Sequence, residues 1–93
     1  MGRTVPGDGL FEVSPDPVRD RATVTFTLAR QGSVSLELVN AAGRTEARLF
    51  AGTLDKGKHS VDWRAGRKLA EGTYFLRLKG AGATRVRKVM VVN

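Results

Sequence analysis

Three short segments in the last third of the chain decide the fold: GKHSVDWR at residues 57–64, GTYFLRL at 72–78 and RKVMVVN at 87–93. In the first two, apolar side chains recur at every second position, which is the pattern of a β-strand with one buried face. A glycine opens each of these two, and Gly-Ala-Gly at 80–82 separates the second segment from the third. We therefore predict that the chain ends in three antiparallel strands.

The rest of the chain shows the same alternation and no helical periodicity. Four further strands are predicted at residues 10–14, 21–29, 33–40 and 44–50. We expect strands 21–29 and 33–40 to pair antiparallel across a short hairpin turn. Residues 52–57 are expected to form a longer connection that crosses between sheets. Seven short strands separated by turns predict an all-β fold, an immunoglobulin-like antiparallel β-sandwich.

The expected core follows from the same alternation. The predicted inward-facing residues are Ala22, Val24, Phe26, Leu28, Val34, Leu36, Leu38, Ala47, Leu49, His59, Val61, Trp63, Tyr74, Leu76 and Leu78. In the last strand the pattern slips, because Val86 lies three residues before Val89. We expect a β-bulge near Arg87 and Lys88 that lets both valines reach the core.

Length and composition predict one small domain. The 93 residues suffice for a single core, with residues 1–9 expected as a flexible leader and 10–93 as the sandwich. The absence of cysteine excludes a disulfide framework and a thiolate metal site. No apolar run is long enough to span a bilayer and no signal peptide follows Met1, so an exported domain would need a signal further upstream.

Positive charge is concentrated on the last strands. The net charge is +7, of which residues 1–60 contribute +1 and residues 61–93 contribute +6. Such an asymmetry steers a domain towards acidic partners and is independent of the fold.

The sequence lacks the residue combinations that most enzymes need. Its single histidine, His59, falls on an apolar strand face and is expected to pack there. Four aspartates could in principle surround a hard cation, but their spacing matches no calcium loop; they are Asp16, Asp20, Asp55 and Asp62. We therefore predict a non-enzyme with no metal and no cofactor.

Nucleic acid is an unfavoured partner. The basic residues of the last two strands, with Phe75 outward among them, could form a stacking platform. No recognised nucleic-acid-binding signature accompanies this single aromatic, so nucleic acid is not expected as a partner.

Five segments in order resemble the C-terminal sorting domain of proteins exported by the type IX secretion system. They are Asp16–Val18, Leu38–Arg44, Gly57–Trp63, Gly72–Leu78 and Arg87–Val91, and together they lie within residues 10–93. One departure is Asn40, where the family most often has aspartate, a change that a turn tolerates. The resemblance implies a set of sorting-motif residues: Asp16, Pro17, Gly43, Arg44, Gly72, Tyr74, Lys88, Val89 and Val91.

The resemblance also implies partners and a destination. The domain would direct a larger cargo from the periplasm to the outer-membrane surface or the extracellular space through the type IX machinery. A sortase-like protease would then cleave near residues 4–9 and join the cargo to anionic lipopolysaccharide. The final strand, if it is an edge strand, could be read by strand addition, with its basic side chains giving selectivity.

Two other function classes stay open from the sequence. The immunoglobulin-like domain of flagellar hook-capping proteins resembles the middle segments, although it usually has Trp-Asp-Gly where this chain has Trp63-Arg64-Ala65. A module that binds a polyanion would also explain the basic strands, and its affinity would depend steeply on salt.

Overall fold

The computed structural model describes residues 10–65 and 69–92. Seven strands account for most of them: β1 Phe11–Ser14, β2 Arg21–Leu28, β3 Gly32–Asn40, β4 Thr45–Leu54, β5 Gly57–Arg64, β6 Gly72–Gly80 and β7 Ala83–Val91. The described residues contain no helix that could cross a membrane.

The strands form two antiparallel sheets that pack face to face. One sheet has the order β1-β2-β5 and the other the order β4-β3-β6-β7. The prediction of an all-β, immunoglobulin-like sandwich is therefore confirmed. β7 is an edge strand, which recognition of the final strand by strand addition would require.

The core lies between the sheets and follows the alternation of the strands. Its fully buried members include Phe26, Leu36, Leu38, Leu76 and Leu78, and Trp63 keeps only 3% of its surface exposed. Val89 and Val91 of β7 are buried in the same core. Burial of each large apolar side chain contributes roughly 1.5–3 kcal/mol.

Strand directions divide the connections between two ends of the sandwich. Residues 14–20, 40–44, 71–72 and 91–92 lie at one end, which we call the upper end. The chain enters β1 at the lower end, together with the turns at residues 29–31, 55–56 and 81–82. Antiparallel pairing forces this division, because each strand reverses the direction of the strand beside it.

The predicted pairing of strands 21–29 and 33–40 is wrong. β2 pairs with β1 and β5, whereas β3 pairs with β4 and β6 in the opposite sheet. Residues 29–31 therefore cross between sheets instead of closing a hairpin. Both strands still bury the residues predicted to face inward, because either arrangement needs the same apolar face.

The predicted crossover at 52–57 is mostly strand. β4 continues to Leu54, and only Asp55 and Lys56 connect it to β5 in the other sheet. β4 also carries the irregularities of the sandwich, with register shifts opposite Leu36/Glu37 and Leu38/Val39. Leu49 and Phe50 both pack against the core in consequence.

The bulge predicted near Arg87 and Lys88 is absent. β6 and β7 pair without a register shift from Gly72↔Val91 to Gly80↔Ala83. Strict alternation then turns Val86 outward, where 59% of its surface is exposed, while Val89 is buried.

Candidate functional site

The structure brings most of the predicted sorting-motif residues to the upper end of the sandwich. Asp16 and Pro17 lie in the connection between β1 and β2, and Gly43 and Arg44 in the turn between β3 and β4. Gly72 begins β6 and Val91 ends β7 at the same end. Lys88 lies three residues earlier, on the outer face of β7.

The Asp16–Val18 segment is bonded directly to the end of β7. The backbone N–H of Met90 donates to Asp16 Oδ1 at 3.2 Å. Val18 N–H donates to the Met90 carbonyl at 2.7 Å, and Val92 N–H donates to the Val18 carbonyl at 2.8 Å. Val18 itself is completely buried and forms a parallel bridge with Val91. The first and last motifs of the chain are thus parts of one structural unit.

Asn40 organises the turn that contains Gly43 and Arg44. Its Oδ1 accepts hydrogen bonds from Ala42 N–H at 2.9 Å and Arg44 N–H at 3.0 Å. Its Nδ2 donates to Glu46 Oε2 at 2.7 Å. Gly43 adopts a φ of 89°, a conformation that favours glycine. These contacts give Asn40 and Gly43 a role in forming the turn.

Tyr74 closes the corner that leads into β6. Its ring is buried, and its hydroxyl donates to the Ala70 carbonyl at 2.6 Å. A hydroxyl that bonds the backbone a few residues upstream is the tyrosine corner found in many immunoglobulin-like sandwiches. Gly72 lies within this corner with a φ of 153°. Both residues therefore shape the fold at the upper end.

Solvent exposure separates the motif residues into two groups. The side chains of Tyr74, Val89 and Val91 are buried, so their side chains contribute to the core. The exposed group is Asp16, Pro17, Gly43, Arg44 and Lys88, and Gly72, which has no side chain, is half-buried. A partner that meets the folded domain can therefore contact side chains of the second group.

Lys88 lies beside apolar side chains on the outer face of the four-stranded sheet. It pairs with Phe75 of β6, which the sequence had placed outward and which is half-buried. Val86 and Met90 lie two residues before and after Lys88, and they are exposed by 59% and 38%. This face of β7 therefore presents an apolar–basic–apolar row.

An ion-pair cluster on the same sheet was not predicted. Arg77 Nη2 donates to Glu37 Oε1 at 2.6 Å and to Thr45 Oγ1 at 3.3 Å, and Arg48 approaches Glu37 Oε2 at 3.5 Å. The hydrogen bond from Arg77 and the surrounding positive charges lower the pKa of Glu37 below its ordinary value of 4.5, although partial burial opposes this change. Alternation with Leu36 and Leu38 places Glu37 on the outward face of β3, but its partner Arg77 can be identified only when the pairing of β3 with β6 is known.

Two of the remaining chemical candidates, His59 and Asp62, have structural partners. His59 packs against Phe26 with ring centroids 5.9 Å apart, and its Nε2–H donates to the Asp55 carbonyl at 2.7 Å. Asp62 accepts a hydrogen bond from Thr23. Within residues 10–65 and 69–92, no group of three or more potential ligands could hold a metal ion.

Comparisons with known proteins and protein families identify what the whole chain is similar to. No curated protein matches the chain. The family model described as the secretion system C-terminal sorting domain matches residues 12–92, which include both of the bonded terminal motifs and all of the strands except Phe11 of β1. The chain therefore belongs to this family, Por_Secre_tail, the C-terminal sorting domains of type IX secretion.

Proposed function

We propose that this domain is a non-catalytic sorting signal that directs a larger cargo through the type IX secretion system to the cell surface. One structural observation carries the proposal. The motif residues that are exposed gather at the upper end and on the adjoining outer face of β7, whereas the buried ones hold that region in shape. A rigid, folded surface is what a receptor can bind with little cost in ordering.

The direction of the chain supports the same function. Residue 10 enters the sandwich at the lower end, opposite the motif residues. A cargo joined upstream would leave from that end and keep the upper end accessible. The proposed partners are the outer-membrane machinery and a sortase-like protease, with attachment of the cargo to anionic lipopolysaccharide after cleavage. The expected cleavage region, 4–9, lies outside the described residues.

A reporter fusion tests the function. Residues 1–93 are fused behind a periplasmic reporter in a host with a working type IX system, and surface and periplasmic fractions are compared. Wild type is expected at the surface. Lys88→Ala is expected to leave most reporter in the periplasm, because it removes an exposed charge on the proposed recognition surface.

The matched control is Lys58→Ala, which removes another exposed lysine from the outer face of the other sheet. Both variants should unfold within about 0.5 kcal/mol of wild type. If wild type stays in the periplasm, the sorting function is wrong. If the two lysine variants are exported equally, Lys88 has no part in recognition.

A further inference from the structure

The free edge of β7 is covered along only part of its length. At the upper end, the N–H and C=O groups of Met90 and the N–H group of Val92 bond to Asp16 and Val18. Below this point, no described segment pairs with β7 on the side away from β6. The edge therefore changes from closed to open within one strand.

The register identifies the backbone groups on the open part. Met90 directs its N–H and C=O away from β6, and a strand repeats this direction at every second residue. Thr84, Val86 and Lys88 consequently point their N–H and C=O groups to the open edge. The hairpin supports this assignment. Its two-residue turn lies between Gly80 and Ala83, so Ala83 and the odd-numbered residues that follow it in β7 bond to β6.

The charge around this edge favours an acidic partner. Residues 72–91 contain five basic side chains and no carboxylate: Arg77, Lys79, Arg85, Arg87 and Lys88. Pairing with a second copy of β7 would bring like charges together, which destabilises a sheet. An acidic strand would instead place a carboxylate opposite Lys88 on the outer face of the sheet.

The exposed apolar side chains complete the pattern. Val86 and Met90 are large, exposed and separated by Lys88 on the same face. Exposed apolar side chains on an open strand edge are features that proteins commonly avoid outside binding sites. We propose that the open edge at Thr84, Val86 and Lys88 receives an extended strand of a partner protein that carries, on one face, an apolar residue opposite Val86 and an acidic residue opposite Lys88. The proposal deepens the sorting function and rests on it.

Amide exchange with a defined peptide tests the pairing. The probe is a capped nine-residue peptide with threonine at its odd positions and valine and glutamate in turn at its even positions, so that valine and glutamate share one face; it is added to the ¹⁵N-labelled domain. In the free domain, the Val86 and Lys88 amides should exchange fast and those of Arg87 and Val89 slowly, because only the latter bond to β6. At nine-tenths occupancy, Val86 and Lys88 should slow by about tenfold, since exchange then proceeds from the unbound fraction.

Two variants separate backbone pairing from charge. Val86→Pro removes a donor that points away from β6, so it should abolish binding, whereas Val86→Thr keeps the donor and should retain it. Lys88→Glu should reject the glutamate peptide and accept its lysine analogue; this comparison remains decisive if the proline variant does not fold.

Slowed exchange elsewhere on the domain, or undiminished binding by folded Val86→Pro, would overturn the proposal. Two other outcomes would also overturn it. If the peptide binds both Val86 variants and heparin displaces it equally from each, the surface binds polyanions. If the domain forms dimers through β7, the edge pairs with a second copy of the chain.

Export of the same variants separates this inference from the sorting function. Folded Val86→Pro that is exported like wild type, while Lys88→Ala is retained, would leave sorting intact and reject the open edge. Conversely, the peptide could protect the Val86 and Lys88 amides while the wild-type reporter stays in the periplasm. The open edge would then bind a strand, and the sorting function would be wrong.

Discussion

Asn40 uses both atoms of its side-chain amide in the turn between β3 and β4. The oxygen accepts two backbone hydrogen bonds, and the nitrogen donates to Glu46 at 2.7 Å. We predict that Asn40→Asp destabilises the domain by about 1 kcal/mol at pH 7, because two carboxylates then face each other. Urea unfolding measures the difference.

Two controls accompany this substitution. Adding Glu46→Gln to Asn40→Asp should restore the lost stability, since the glutamine amide can donate to the new carboxylate. The loss should also shrink as the pH falls and the carboxylate pair takes up a proton. An equal loss at neutral and acidic pH would show that charge repulsion is not the cause.

Glu37 makes stability depend on pH in a defined direction. Its pKa is lowered in the folded state, chiefly by the Arg77 hydrogen bond, so the folded protein binds this proton less readily than the unfolded chain. The stabilisation is present above the ordinary pKa of 4.5 and is lost as the pH falls through the lower folded value. Glu37→Gln should therefore cost about 1 kcal/mol at pH 7 and progressively less as the pH falls below 4.5, by urea unfolding. Arg48→Ala is the milder control, because its pair with Glu37 is longer and more exposed.

At the scale of the element, the hairpin between β6 and β7 contains a mismatch between residue and backbone. Ala81 and Gly82 form its two-residue loop with φ values of 53° and 76°. Asparagine or glycine suits the first position better than alanine. Ala81→Asn should raise the free energy of unfolding by about 0.5–1 kcal/mol, measured by urea unfolding. Gly82→Ala should lower it, because alanine is strained at a φ of 76°, whereas the flexible end of the Arg30 side chain can move away from the added Cβ; a stabilised Gly82→Ala would refute this account of the turn.

The elements also show which features a sequence can predict. Inward faces such as that of Phe26 and Leu28 follow from local alternation and are confirmed. Strand pairing does not follow from local alternation. The residues between β2 and β3 suit either a hairpin or a crossover, and the packing of the other five strands determines which one forms. Val86 illustrates a second limit, since a slip in alternation fits either a bulge or one exposed valine, and apolar residues are common at surfaces.

The same limit applies to the candidate site. The motif residues Asp16 and Tyr74 were found by resemblance, but their partners Met90 and Ala70 depend on how distant segments meet. Glu37 was placed outward by alternation, yet its ion pairs required knowledge that β3 lies between β4 and β6. Sequence patterns locate such residues, and tertiary structure determines whether each one binds a partner or supports the fold.

At the scale of the molecule, β7 belongs both to the core and to the proposed recognition surface. Val89 and Val91 are buried in the common core, and Val18 from the start of the chain depends on β7 for its hydrogen bonds. Together these two valines contribute roughly 3–6 kcal/mol, which is comparable with the roughly 5–10 kcal/mol of the whole domain. Removing the final strand would therefore unfold the sandwich as well as delete the signal.

Deletion of residues 89–93 should accordingly abolish cooperative unfolding and shift the emission of the single tryptophan, Trp63, to longer wavelength, because its buried ring becomes solvated. Lys88→Ala should leave both properties unchanged, since its side chain is exposed. Tryptophan fluorescence during urea titration measures both. A truncated domain that kept a cooperative transition would separate β7 from the core, and loss of export on truncation could then be attributed to recognition alone.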